Sequence, residues 1–247
     1  MLVQNIYRLT RKHFNSCIDT PSQAHLCRTI FGAAISPYPP GFSFWPNFLN
    51  TAEQKLLLGA SLSKLDGCEA RSHRRRRRDY WSSRPQTPTS LSEMFAPDEL
   101  YTFEQGHYDG VIHHYREMHL TSWPSDEFEG LQGVLERVHS LCPTKDTQTH
   151  LLHLASHGDI LPHVDNISAS GSWILGVSLG AERRLRMREA NSPANYSEFS
   201  INIPSGSVYL QRDDVRFSYM HAIERDQEEG QRLSVMIRDL NNKKLSL

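Results

Sequence analysis

From residue 149 onward the apolar residues alternate with polar ones in short runs, whereas two earlier stretches repeat them every three or four positions. In residues 232–238, Leu233, Val235 and Ile237 alternate with Arg232, Ser234, Met236 and Arg238, the period-two signature of a strand with two unlike faces. Comparable runs at 149–155, 172–179, 183–188, 196–203, 208–212 and 217–222 are divided by turns rich in Gly, Pro, Asn and Asp, such as Pro204-Ser205-Gly206. Short strands at this spacing predict a mainly β fold with flanking helices (α+β), a double-sheet jelly roll or double-stranded β-helix that can hold a ligand between its sheets. Helical periodicity runs through 51–65, where Leu56, Leu57, Ala60, Leu62 and Leu65 recur and Asn50 with Glu53 forms a capping box. A second helix is expected at 128–141 through Leu131, Val134, Leu135, Val138 and Leu141. Both should buttress the sheet.

A chain of 247 residues with 38% hydrophobic content can bury one core of ordinary size, which favours one domain with tails over two domains. Its four cysteines, Cys17, Cys27, Cys68 and Cys142, lack the spacing of a zinc site or a disulfide framework, which points to a reducing compartment. The net charge of −1 gives no global attraction to polyanions. No apolar run is long enough for a membrane span, and a monomer is expected.

The chemistry concentrates in the last third. His-x-Asp occurs three times, so the triplet alone says little. His107-Tyr108-Asp109 has no strand-like run on either side, and His157-Gly158-Asp159 carries a glycine that reads as a turn; both are expected in loops. His163-Val164-Asp165 instead follows Pro162, and in an extended strand residues two apart share a face, so this pair can chelate. After Asp165 one histidine remains, His221, leaving it as the only C-terminal third ligand of that type. Two imidazoles and one carboxylate hold a divalent iron on one face and leave the opposite positions open to a co-substrate and dioxygen. Arg232 and Arg238 share a strand face about 20 Å apart at roughly 3.3 Å per residue, a gap that two guanidiniums and a dicarboxylate between them can fill.

Taken together, Gly158, His163-x-Asp165, His221 and the Arg232-x5-Arg238 pair resemble the AlkB-like iron(II)- and 2-oxoglutarate-dependent dioxygenases. The resemblance spans about residues 42 to 240, including Tyr108 to Glu117 and Gly206-Ser207-Val208-Tyr209, and is greatest to a mitochondrial branch of that family. It implies that His163, Asp165 and His221 bind Fe(2+), and that Arg232, helped by the hydroxyls of Tyr209 and Ser234, clamps the distal carboxylate of 2-oxoglutarate. It places Arg238 beside the metal end of the co-substrate. It also implies oxidation of a C–H bond of a protein or RNA substrate, coupled to conversion of 2-oxoglutarate and dioxygen into succinate and carbon dioxide, and a link to fatty-acid metabolism and programmed necrosis. The chain departs from the nucleic-acid-repairing members, which carry Asn-x-Tyr where it has His153-Leu154-Ala155. His114, Tyr115 and Trp123 are the side chains that could stack on an extruded base.

Two further segments bear on location and partners. Residues 1–18 contain Arg8, Arg11 and Lys12 and no acid, which reads as a mitochondrial targeting segment over 1–35, with a matrix location and the dioxygenase domain at 42–247. The run Arg74 to Arg78, followed by a Ser-, Thr- and Pro-rich stretch, is expected as a flexible, solvated insertion at about 69–92. The alternative for that run is a nuclear address or a phosphate-contacting patch, on which the protein would be a nuclear or cytoplasmic RNA-binding protein or nucleic-acid demethylase. A jelly-roll binding module without turnover is the remaining alternative.

Overall fold

The computed structural model describes residues 37–84, 88–166, 170–191, 198–225 and 230–240. The segment expected to direct targeting lies outside them. Strand β1 (Phe42–Trp45) leads into helix α1 (Thr51–Cys68). The capping box starts this helix: Asn50 Oδ1 accepts from the Glu53 N–H at 3.0 Å and Glu53 Oε2 from the Asn50 N–H at 2.9 Å. Helix α2 (Arg71–Ser82), strands β2 (Glu104–Gly106) and β3 (Ile112–Leu120), and helix α3 (Leu131–His139) follow. The chain then forms β4 (Thr147–His163), β5 (Trp173–Gly180), β6 (Arg183–Glu189), β7 (Glu198–Ile203) and β8 (Val208–Arg212), a short helix α4 (Asp213–Ser218), β9 (Tyr219–Arg225) and β10 (Arg232–Asp239).

All pairings are antiparallel, in the order β1-β8-β5-β10-β4-β9-β6-β7, with β3 also on β4 and β2 on β3. The path turns on β4. Residues 147–154 of this 17-residue strand pair with β10, and its far end pairs with β9 through Ile160↔Ile223 and His163↔His221. One strand therefore serves two sheets. On the outer face of the larger one, Leu175, Val177, Leu210, Leu233 and Val235 pack against Leu57 and Leu58 of α1 and Val134 and Val138 of α3. Each such side chain, once buried, contributes about 1.5–3 kcal/mol. On the inner face, Leu152, Leu154 and Tyr209 meet Leu185, Met187, Ile203 and Ile223 of the smaller sheet. Two sheets facing across a shared core make the jelly roll that the alternating pattern predicts, and β10 presents Arg232, Ser234, Met236 and Arg238 on its inner side.

Several expectations change. The stretch around His107 is flanked by β2 and β3, so the expectation of no strand on either side is corrected. The apolar alternation there is hidden because β3 carries His113, His114, Arg116 and His119 and shifts register between His113 and Tyr115, where His114 adopts φ 50°. His157-Gly158-Asp159 lies inside β4 rather than in a loop. Gly158 is required there because a Cβ would stand 2.7 Å from the His114 carbonyl oxygen, where the irregular β3 backbone presses on β4. Helix α3 is shorter than 128–141, and the strand expected at 217–222 begins later because residues 213–218 turn as α4. The arginine run forms helix α2 instead of a flexible loop.

Arg77 explains that last difference. It is buried, at 3% exposure, with its Nε 3.2 Å from Asp66, its Nη1 paired to Glu69 and donating to the Leu100 carbonyl at 2.8 Å, and its guanidinium 4.9 Å from the Tyr101 ring centre. Arg116 from β3 shares both carboxylates, reaching Asp66 at 2.7 Å and Glu69 at 3.2 Å. Burial opposes the Glu69 charge, but the Thr102 N–H and the two guanidiniums hold its carboxyl below the usual range. One buried arginine thus anchors a helix whose other arginines repel one another.

Candidate metal centre

His163 ends β4, Asp165 stands two residues beyond it, and His221 faces His163 from β9 as its register partner. The ring centres of the two histidines are 4.3 Å apart. His163 Nε2 lies 3.6 Å from Asp165 Oδ1, and His221 Nε2 lies 3.7 Å from Asp165 Oδ2. One ligand atom from each residue falls within 4.8 Å of the others, as convergence on one ion requires. The His163 Nδ1–H donates to the Leu161 carbonyl at 2.9 Å, which leaves the Nε2 lone pair facing Asp165. Burial pushes His221 down to about 4, so its ring is neutral at physiological pH. Burial opposes ionisation of Asp165, yet its carboxyl is held far below the usual range by its surroundings, in which the Arg238 guanidinium is the fixed positive charge.

A residue that sequence reasoning missed supports this corner. Arg216 of α4, 1% exposed, donates to the Asp165 carbonyl at 3.1 Å, to the Asn166 carbonyl at 3.3 Å and to Ser170 Oγ at 2.7 Å. It ties the backbone that carries Asp165 to the turn between β8 and β9. An arginine in a short Asp-rich segment gives no periodic signal, so nothing in the sequence marks it as buried.

The inner face of β10 extends the site. Arg238 reaches Asp165 Oδ1 at 3.5 Å, and Arg232 lies toward the other end of the strand. Arg232 is 1% exposed, its Nε donates to Ser178 Oγ at 3.1 Å, and the Tyr209 hydroxyl lies near enough to interact with its charge. Burial lowers its pKa to about 10, still leaving it charged near neutrality. Ser178 of β5 is thus the serine found on Arg232; Ser234, the one expected from sequence, is buried on the same β10 face. Among the described residues, Asp165 Oδ2, Arg232 Nη2 and Arg238 Nε are buried here without a hydrogen-bond partner, as is Arg216 Nε behind Asp165. Buried polar groups are seldom left unpaired, and a carboxylate oxygen by two imidazoles together with two guanidiniums fits a metal ion and a dicarboxylate.

The residues considered for base stacking do not form a platform. Tyr115 is buried in the inner core with its hydroxyl donating to Glu104 at 3.2 Å, Trp123 packs against the outer core, and His114 lies against His157 at 4.2 Å between ring centres. His153, where repair members carry Asn, faces the helices on the opposite side of the sheet from Arg232. Its Nδ1 accepts from Arg116 Nε at 2.9 Å and its Nε2–H donates to Gln231 Oε1 at 2.9 Å.

Residues 41–247 match the 2OG-Fe(II) oxygenase superfamily. Over 165 residues the chain is 31% identical to the alpha-ketoglutarate-dependent dioxygenase alkB homolog 7, mitochondrial, of Bos taurus, covering 61% of this chain and 72% of that protein. It belongs to the AlkB-like 2OG-Fe(II) oxygenases. The Mus musculus protein of the same name is 30% identical over 151 residues, covering 56% of this chain and 66% of that one. Among solved structures, OsALKBH1 is 14% identical with a TM-score of 0.49, covering 82% of this chain and 98% of its own. The oxygenase accordingly uses Fe(2+) and 2-oxoglutarate, with dioxygen as the second co-substrate. Among its described residues no helix is long and apolar enough to cross a membrane.

Proposed function

We propose that this oxygenase binds Fe(2+) through His163, Asp165 and His221 and 2-oxoglutarate between Arg232 and Arg238, and that it oxidises a C–H bond of a protein or RNA substrate in mitochondria. The convergence of the three ligand atoms within 4.8 Å is the observation that carries this reading. Bound iron would supply open coordination positions at which the keto acid and dioxygen meet. The chain's own groups do the rest. Arg232, with the Tyr209 and Ser178 hydroxyls and with Ser234 on the same face, receives the distal carboxylate in a dry, fixed-charge site. Arg238 lies beside Asp165, where it can steady the ligand carboxylate and the metal end of the co-substrate. The Leu161 carbonyl keeps the proton of His163 on Nδ1, and Arg216 fixes the backbone at Asp165.

The mitochondrial setting rests on the names of the relatives and on the basic, acid-poor start of the chain. The links to fatty-acid metabolism and programmed necrosis belong to the same proposal and rest on the resemblance alone. A protein or structured RNA is favoured over an extruded base because His114, Tyr115 and Trp123 are engaged elsewhere. The test is to load the protein with iron(II) without oxygen, titrate 2-oxoglutarate while following the visible charge-transfer band, and then admit oxygen and assay succinate. A band and succinate that vanish in Asp165→Ala are expected. An Asp165→Ala protein that keeps both would overturn the ligand assignment.

A further inference from the structure

We propose that helix α2 is an electrostatic docking ridge for an anionic phospholipid surface, separate from the iron site. At 100° per residue, Arg71, Arg74, Arg75 and Arg78 occupy positions i, i+3, i+4 and i+7, and so fall on one stripe of the helix. All four are exposed. The stripe is about 10 Å long at 1.5 Å per residue. Arg77, one residue from Arg78 but about 100° around the helix, is the buried anchor, and the four stripe arginines stay exposed beside it. Arg75 meets Asp79 at 3.8 Å, both exposed; among the described residues Arg71, Arg74 and Arg78 carry no ion pair. With Arg76 and Arg84 also exposed, this is a concentrated positive patch on a chain whose net charge is −1. Like charges at these spacings destabilise a helix, so α2 holds together against its own repulsion by docking through Arg77. A polyanion laid on the ridge relieves that repulsion.

The neighbouring aromatics favour a lipid surface over a nucleic-acid strand. Trp81 lines a groove of 710 Å³ with Ser63, Asp66, Arg74, Arg77 and Arg78; Asp66 is already paired to Arg77 and Arg116, and an indole beside the remaining guanidiniums suits an interface where the ring sits among headgroups and the charges reach phosphates. A stacking platform for bases needs free ring faces. Tyr80 does not provide them, because Arg84 lies 4.4 Å from its ring centre and Trp81 packs edge-on at 4.9 Å.

The experiment is co-sedimentation of the full chain with vesicles of phosphatidylcholine alone and of phosphatidylcholine containing phosphatidylserine, at low and high salt. Binding to the acidic vesicles only, weakened by salt, is expected. A variant with Arg71, Arg74, Arg75 and Arg78 all changed to Ser should lose about fivefold in affinity per arginine, several-hundredfold in all. The same variant should melt no lower than wild type, since the repulsion along the helix is relieved, and should keep succinate formation, since these side chains lie outside the proposed iron site; Arg78→Glu should weaken binding by itself. Equal binding by wild type and the fourfold variant would overturn the proposal. So would indifference to acidic vesicles, including the case in which a single-stranded oligonucleotide binds through the same arginines. Failure of the iron-site assignment would instead show as loss of the charge-transfer band with vesicle binding intact.

Discussion

Tyr209 lies across Gly176 so closely that a Cβ at position 176 would stand 2.4 Å from Tyr209 Cζ and 2.6 Å from its hydroxyl oxygen. The two residues are register partners on β8 and β5, and the bare glycine backbone lets the ring fold over the sheet toward Arg232. Gly176→Ala should therefore push Tyr209 out of place. The expected result is a loss of about 1–3 kcal/mol in stability from overpacking, together with at least a tenfold weaker 2-oxoglutarate affinity measured by calorimetry. Tyr209→Phe, which keeps the ring and removes the hydroxyl, should weaken co-substrate binding without the stability loss.

Arg232 is fully desolvated, so its partners decide its worth. Arg232→Ala should raise the KM for 2-oxoglutarate by on the order of a hundredfold, the scale of a lost charge-assisted pair at about 2–3 kcal/mol. Arg232→Lys should recover only part of that loss, because an ammonium cannot reproduce the planar fork. Steady-state kinetics with varied 2-oxoglutarate would check both; an unchanged KM in Arg232→Ala would place the distal carboxylate elsewhere.

Arg216 touches no proposed ligand side chain, yet it grips the backbone at Asp165 and Asn166. Arg216→Ala should lower iron(II) affinity about 10- to 100-fold, as loss of supporting hydrogen bonds around a metal site does. Competition with a chromophoric chelator would measure it. Metal affinity equal to wild type would mean that Asp165 is held by its own side-chain contacts alone.

His153 makes acid a structural stress. It is fully buried and neutral, and its pKa is driven well below 6.5, first by burial and then by Arg116. Below about pH 6.5 the unfolded chain takes up a proton that folded His153 refuses, so the stability is present in full above that pH and falls as pH drops toward the folded pKa. The Tm should therefore decline between pH 7 and pH 5. His153→Gln can still accept from Arg116 and donate to Gln231, and it should show a shallower decline. The buried His221, also lowered, keeps the decline from vanishing.

How much of this was legible in sequence depends on how local each signal was. The strand β10 and its two faces were plain because seven residues alternate without interruption, and α1 was plain because Asn50 and Glu53 announce its start. The hairpin of β2 and β3 was hidden by its histidines and by the irregularity at His114, where polar residues occupy places that alternation reserves for apolar ones. The helix α2 could not be inferred from five consecutive arginines, because what holds it is a tertiary contact between Arg77 and the carboxylates at the end of α1. The same holds for Arg216 and Gly176. Their roles exist only once distant strands are side by side, and no window of sequence contains both partners.

Strand β4 carries Leu152 and Leu154 for the inner core in one stretch and His163 in the next. Side chains along a strand alternate faces, so slipping its register by one residue would turn the core residues outward and the proposed metal histidine away from His221 in a single error. With those ligands a wrongly paired chain would also be blind to iron, and iron would be captured only by chains whose hydrophobic layers are already in step. On the proposed ligand set, metal uptake would act as an inspection of folding, and a chelator-resistant iron fraction in a refolding mixture would count the correctly assembled molecules.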